Sequence, residues 1–209
     1  IMMLRNGRWQ MMTEPVHFDR SVAGVGPAAS FAKAWCNANN DRLGLIPCAE
    51  GGSSIDEWAP EGVLFRHAIT EAKFAMEESE LTAILWHQGE SDSREEKYRS
   101  YYSKLEKMVN ALREELNVPE IPFIMGGLGD YLGKSGFGLS CTEYENINNE
   151  LQRYAMNNKN CYFVTGEKLF PNPDGIHIDA ESQRRFGIRY FMAYQNGAEV
   201  SKPIENEDQ

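Results

Sequence analysis

Cysteine is scarce in this 209-residue sequence: Cys36, Cys48, Cys141 and Cys161 are widely separated and form no Cys-x-x-Cys pair. That excludes a disulfide scaffold and sets a reduced, cytoplasmic compartment as the expectation. Long apolar runs are absent too. The longest candidates, such as 43–49, are strand-sized and far short of the roughly 18 to 20 residues that cross a bilayer, so no membrane partner is expected. Basic charge is the minority, with 21 Lys and Arg against 31 Asp and Glu for a net charge of −10, and no basic cluster stands out. A phosphate backbone is therefore a poor partner, and nucleic acid binding is not expected. Internal repeats and low-complexity tracts are missing as well. The chain opens Ile1-Met2-Met3-Leu4, so the absence of a leader carries little weight.

What remains is enough for a core: 42 % of residues are apolar and 25 % charged, which suits one globular domain. Residues 1–197 are expected to form that domain, and the acidic residues 198–209 a loose tail. Short apolar runs at 43–48, 82–86, 122–125 and 161–165 predict strands. Between them lie helical patterns at 27–37, 63–76, 98–116, 144–155 and 180–194. The clearest carries Tyr98, Tyr101, Tyr102, Leu105, Met108, Val109, Leu112 and Leu116 at steps of three and four and stops before Pro119. Continuous apolar strands alternating with amphipathic helices must be covered on both faces, which predicts an α/β fold with a doubly wound, mainly parallel sheet sandwiched between helices.

Ligands of such sheets bind at the carboxyl ends of the strands, so the loops that follow strands carry the chemistry. Four loops qualify: Glu50-Gly51-Gly52-Ser53-Ser54-Ile55-Asp56-Glu57-Trp58, His87-Gln88-Gly89-Glu90-Ser91-Asp92, the glycine-rich stretch 126–138, and Asp174-Gly175-Ile176-His177-Ile178-Asp179. In the last of these a carboxylate lies three residues before an imidazole. It can accept the Nδ1 proton and leave Nε2 as a general base, although a turn Asp near a surface His would look the same. Gln88 stands where its amide could donate to a developing oxyanion, and Gly51-Gly52 before two serines suits an anion nest or a plain tight turn. A metal reading of His87, Glu90 and Asp92 matches no standard cage. Trp86 and the helix tyrosines suit a core, whereas Trp58 could form a sugar-stacking wall. His17 and His67 have no partner pattern.

Together, Gly24-Val25-Gly26-Pro27, Ile46 through Trp58, Trp86-His87-Gln88-Gly89-Glu90-Ser91-Asp92 and Asp174-Gly175-Ile176-His177-Ile178-Asp179 resemble the SGNH hydrolase superfamily. Within it the resemblance is to carbohydrate esterase family 6 and the sialate O-acetylesterase-like group, which includes acetylxylan esterases, and it runs to about Tyr194. It implies a flavodoxin-like sandwich and hydrolysis of acetyl esters on sugars by a Ser-His-Asp triad. The implied roles are Asp174 and His177 as acid and base, Gly52 and Gln88 as oxyanion donors, and Glu90 as a supporting residue. It calls for no metal and no organic cofactor; the implied partner is an acetylated carbohydrate. One departure is large: the family's nucleophile sits in a Gly-Gln-Ser-Asn block after the first, central strand, and no such block occurs here. The serine and its strand are therefore expected upstream of Ile1. Ser53 and Ser91 lie on the right rim but in no Gly-x-Ser-x-Gly elbow. The rival expectation is a non-catalytic carbohydrate-binding relative that has lost its nucleophile.

Overall fold

A computed structural model describes all residues except Asp19, Val22, Asn206, Asp208 and Gln209. The chain starts with a hairpin, β1 (Met2–Arg5) and β2 (Arg8–Met11), turned by Asn6 and Gly7, both at positive φ (52° and 67°). Positive φ at both central positions is the type I′ geometry that Asn-Gly favours. α1 (Ala28–Asn39) leads to a two-residue strand, β3 (Gly44–Leu45), which lies parallel to β1 and completes a three-stranded sheet in the order β2-β1-β3.

A second sheet, all parallel, has the order β4-β5-β6, with β4 (Ile84–Trp86), β5 (Phe123–Gly126) and β6 (Cys161–Val164). The intervening helices are α2 (Val63–Ala75), α3 (Tyr98–Glu115), α4 (Tyr144–Asn157) and the terminal α5 (Ala180–Asn196). Side chains alternate across the sheet as the pleat requires. Phe123, Met125 and Phe163 enter the core with α2, α3 and α4, whereas Ile124 and Val164 enter the opposite core with Phe31 of α1 and Phe186, Tyr190 and Phe191 of α5. Both faces are covered, as a doubly wound α/β fold requires. α3 buries Tyr101, Leu105, Met108, Val109 and Leu112, one helical stripe, and each such side chain contributes about 1.5–3 kcal/mol of burial.

The two sheets do not join. β3 and β4 face each other across a cleft of about 760 Å³ lined by 42–46 and 81–85 with Phe31, Trp35, Ile69, Ala72, Leu112 and Leu116. The strand expected over 43–48 is cut to two residues because its second edge has no ladder to extend it. One buried lining group, the indole N–H of Trp35, has no partner there.

Within the expected loose tail, individual residues are held against the domain. Val200 forms a parallel bridge to Val164, and Glu207 takes both Nε and Nη2 of the fully buried Arg189 at 2.7 and 2.5 Å. Arg189 also donates to the carbonyls of Thr165 and Glu167, so the acidic residue that suggested looseness neutralises a buried cation. The tail positions 206, 208 and 209 lie outside the described residues.

Candidate active site

Asp174 and His177 come together as their spacing predicts. Asp174 Oδ2 lies 2.8 Å from His177 Nδ1, and Oδ1 accepts the backbone N–H groups of Ile176 and His177 at 2.9 and 3.0 Å. Because Nδ1 faces a carboxylate it carries the proton, and the exposed ring offers Nε2 as a base. Burial alone would raise the Asp174 carboxyl; the hydrogen bonds from Ile176 and His177 outweigh it and hold the carboxyl below its ordinary value.

This turn is clamped from the side by the glycine-rich loop. Phe137 N–H donates to the Asp174 carbonyl at 2.8 Å, and Tyr131 Oη donates to the Ile176 carbonyl at 2.9 Å. The 3-10 turn Gly136–Ser140 sits so close that a Cβ on Gly136 would lie 2.0 Å from the Asp174 oxygen and one on Gly138 2.1 Å from the Gly175 oxygen. Only glycine permits that approach. Tyr131 was not singled out in the sequence; the glycines spaced around it were the available signal.

At the end of β4, Gln88 is buried and fully engaged. Its Nε2 donates to the Ser53 carbonyl at 3.0 Å and to Asp92 Oδ2 at 2.6 Å, while Oε1 accepts from Tyr101 Oη at 2.9 Å. Both amide hydrogens are spent, which corrects the expectation of a donor aimed at an oxyanion: Gln88 ties the 50–58 loop to the 88–92 loop. Asp92 completes the tie by accepting from Ile55 N–H at 2.8 Å. Gly52 lies on the exposed crest of that loop at φ +78°, with open space where a Cβ would stand.

The two rim serines hold backbone. Ser53 Oγ donates to the Glu50 carbonyl and accepts from Trp58 Nε1, and Ser91 Oγ donates to the Gly52 carbonyl at 2.8 Å. Trp58 is buried and packs edge-on against Trp86 with centroids 5.3 Å apart, so it is core and not a sugar-stacking wall. His87 and Glu90 pair with each other, with Nε2 and Oε1 3.3 Å apart, while Asp92 turns to Gln88 and Ile55. Those three groups thus do not converge, and no set of three metal-type ligands is placed to hold an ion among the described residues.

All four loops are linked into one rim. The 50–58 loop bonds to 88–92 through Gln88, Ser91 and Asp92; Cys141 Sγ donates to the Glu90 carbonyl at 3.4 Å; and the 3-10 turn before Cys141 packs on the Asp174–Gly175 turn. The linked loops therefore carry an oriented imidazole, a glycine crest and a carboxylate at Glu90.

Comparison with known proteins shows what the whole chain is similar to. The family model described as "Carbohydrate esterase, sialic acid-specific acetylesterase" matches residues 1–196. A probable carbohydrate esterase of Arabidopsis thaliana is 30 % identical over 201 residues, spanning 90 % of this chain and 71 % of that protein. An X-ray structure of an Arabidopsis thaliana protein superposes with a TM-score of 0.84 at 28 % identity, over 93 % of this chain and 80 % of the other. A structure described as a novel carbohydrate acetylesterase from Xanthomonas citri shares the fold, with a TM-score of 0.66 at 18 % identity over 81 % of this chain and 40 % of that one. With nearly its whole length matched and its loops assembled on one rim, this chain belongs to the carbohydrate esterase, sialic acid-specific acetylesterase family.

Proposed function

We propose that the protein is an O-acetylesterase acting on acetylated sugars of the xylan or sialate kind, through a Ser-His-Asp mechanism whose serine lies outside residues 1–209. The observation that carries this reading is the Asp174–His177 pair, with its tautomer fixed at 2.8 Å and its carboxylate locked by two backbone N–H groups. The cleft between β3 and β4 supports the location of the serine. Two strand edges line it with apolar walls, and the Trp35 N–H lacks an acceptor, which supports a central strand there that would end on the rim.

In the proposed reaction, the serine oxygen attacks the acetyl carbonyl and its proton passes to His177 Nε2. Asp174 stabilises the resulting imidazolium, and Gly52 N–H donates to the tetrahedral oxyanion. Collapse breaks the ester bond, with His177 returning its proton to the sugar oxygen. Water then repeats the cycle on the acetyl-serine and releases acetate. No step calls for a metal or an organic cofactor.

The test is acetate release from p-nitrophenyl acetate and acetylated xylan by the full-length protein. His177→Ala should abolish it, and Asp174→Asn should lower kcat by roughly 10⁴. Wild-type rates in His177→Ala would overturn the assignment. A second reading, a non-catalytic relative that binds acetylated sugars, is favoured by one observation: the hydroxyls of Ser53 and Ser91 are committed to backbone carbonyls. Binding of acetylated xylo-oligosaccharide with no acetate release would select it.

A further inference from the structure

Phe137 and Leu139 are 75 % and 56 % exposed, and both sit on the 3-10 turn Gly136–Ser140 in the loop after β5. Apolar side chains scattered singly over a surface are ordinary, but these two share one turn packed against the Asp174–His177 pair. That turn is held from several sides. Phe137 N–H donates to the Asp174 carbonyl at 2.8 Å, Gly133 N–H donates to the Gly138 carbonyl at 2.9 Å, and a Cβ on Gly175 would lie 2.5 Å from the Ser135 carbonyl oxygen. Gly136 and Gly138 are committed to this backbone contact, while the ring of the residue between them stays in solvent. Asp174 is shared: its carbonyl holds the Phe137 backbone, and its carboxylate holds the His177 ring, also at 2.8 Å. A single residue therefore links the exposed ring to the base.

We propose that Phe137, with Leu139 beside it, is a substrate-binding platform that takes the apolar face of a sugar ring of the acetylated carbohydrate. The proposal rests on the esterase reading of Asp174 and His177 and deepens it by naming a side chain that selects the carbohydrate.

The chemistry of the substrate sets what such a platform must be. A sugar ring carries C–H groups on its faces and hydroxyls around its edge, so it needs a flat apolar wall with polar groups at the margin. Trp58, the wall expected from the sequence, is buried against Trp86 and cannot serve. Phe137 offers an aromatic face in solvent. At the end of the same turn the exposed Ser140 hydroxyl and Arg94 guanidinium lie 3.4 Å apart, one able to donate and accept, the other to donate, to ring hydroxyls. Because the turn is already fixed by its backbone contacts with Asp174 and Gly175, stacking on it does not have to order a loop, and less of the contact is lost to entropy.

The experiment uses the full-length protein and two acetyl esters: acetylated xylo-oligosaccharide, and methyl acetate, whose alcohol has no ring to stack. Phe137→Ala should lower the ratio of kcat/KM for the first to kcat/KM for the second by about tenfold, chiefly through KM for the oligosaccharide, and Phe137→Trp should restore it. A structural role alone would depress both substrates together and leave the ratio in place. An unmoved ratio in Phe137→Ala, or a lowered one that Phe137→Trp fails to restore, overturns the proposal. So does a fall in the denaturation midpoint of Phe137→Ala with the ratio unmoved, which would show the ring to be covered by protein in the full-length chain. If the wild type releases acetate from neither ester, the esterase reading fails and binding decides the platform separately. Calorimetry with acetylated xylo-oligosaccharide should then give a Kd about tenfold weaker in Phe137→Ala than in the wild type. Equal values, or no binding by the wild type, overturn it.

Discussion

Gln88 sits at the end of β4 with Ser53, Asp92 and Tyr101 closed around its amide, a tie between two loops and not a donor aimed into the cleft. Its position after an apolar strand and before a glycine located it on the rim, but nothing in a linear sequence shows that Ser53, Asp92 and Tyr101 will close around its amide. The distinction is measurable. Gln88→Ala removes one partner from three buried polar groups at once, and a stranded buried partner costs about 1–3 kcal/mol, so the denaturation midpoint should fall clearly. A donor aimed into the cleft would lower kcat and leave stability unchanged; that pattern would restore the oxyanion role. Asp174 and His177 were legible for the opposite reason. Their contact is local, three residues apart in a turn, and its geometry follows from the chain itself.

The same division between local and distant contacts governs the elements. The helical stripe of α3 and the apolar runs of β4, β5 and β6 were legible because periodicity and burial are properties of a short segment. The β1–β2 hairpin is turned by Asn6-Gly7, a local signal that the sequence itself contains. The shortening of β3 could not be foreseen, since a strand's length depends on its neighbour. If a central strand fills the cleft, β4 must bond on both sides. Ile84 N–H already donates to Pro122, and by the alternation of a parallel ladder Leu85 N–H points the other way, into the cleft. Hydrogen exchange in the full-length protein should therefore protect the Leu85 amide as strongly as that of Ile84. Exchange at the rate of an open edge would remove the support for a strand in that position.

At the scale of the whole molecule, the site's charges should be visible in how stability follows pH. Asp174 and Glu90 are held below their ordinary carboxyl values of 3.8 and 4.5, so their contribution is present above those values and is lost as pH falls through the lowered folded ones. His87 is held above its ordinary 6.5, so its contribution is fully present below that value and is lost as pH rises through the raised one. The ion pair therefore stabilises most between about pH 4.5 and 6.5 and weakens on either side. The net charge of −10 does not mask this, because histidine is the side-chain type whose ordinary value lies next to the neutral range. The melting temperature should accordingly decline from pH 6 to pH 8.5. His87→Gln should flatten that decline, since it removes a proton that the folded state binds more tightly than the unfolded one. An identical decline in His87→Gln would show that the imidazole does not hold its proton through folding, and the ion pair would lose its place in the account of the site.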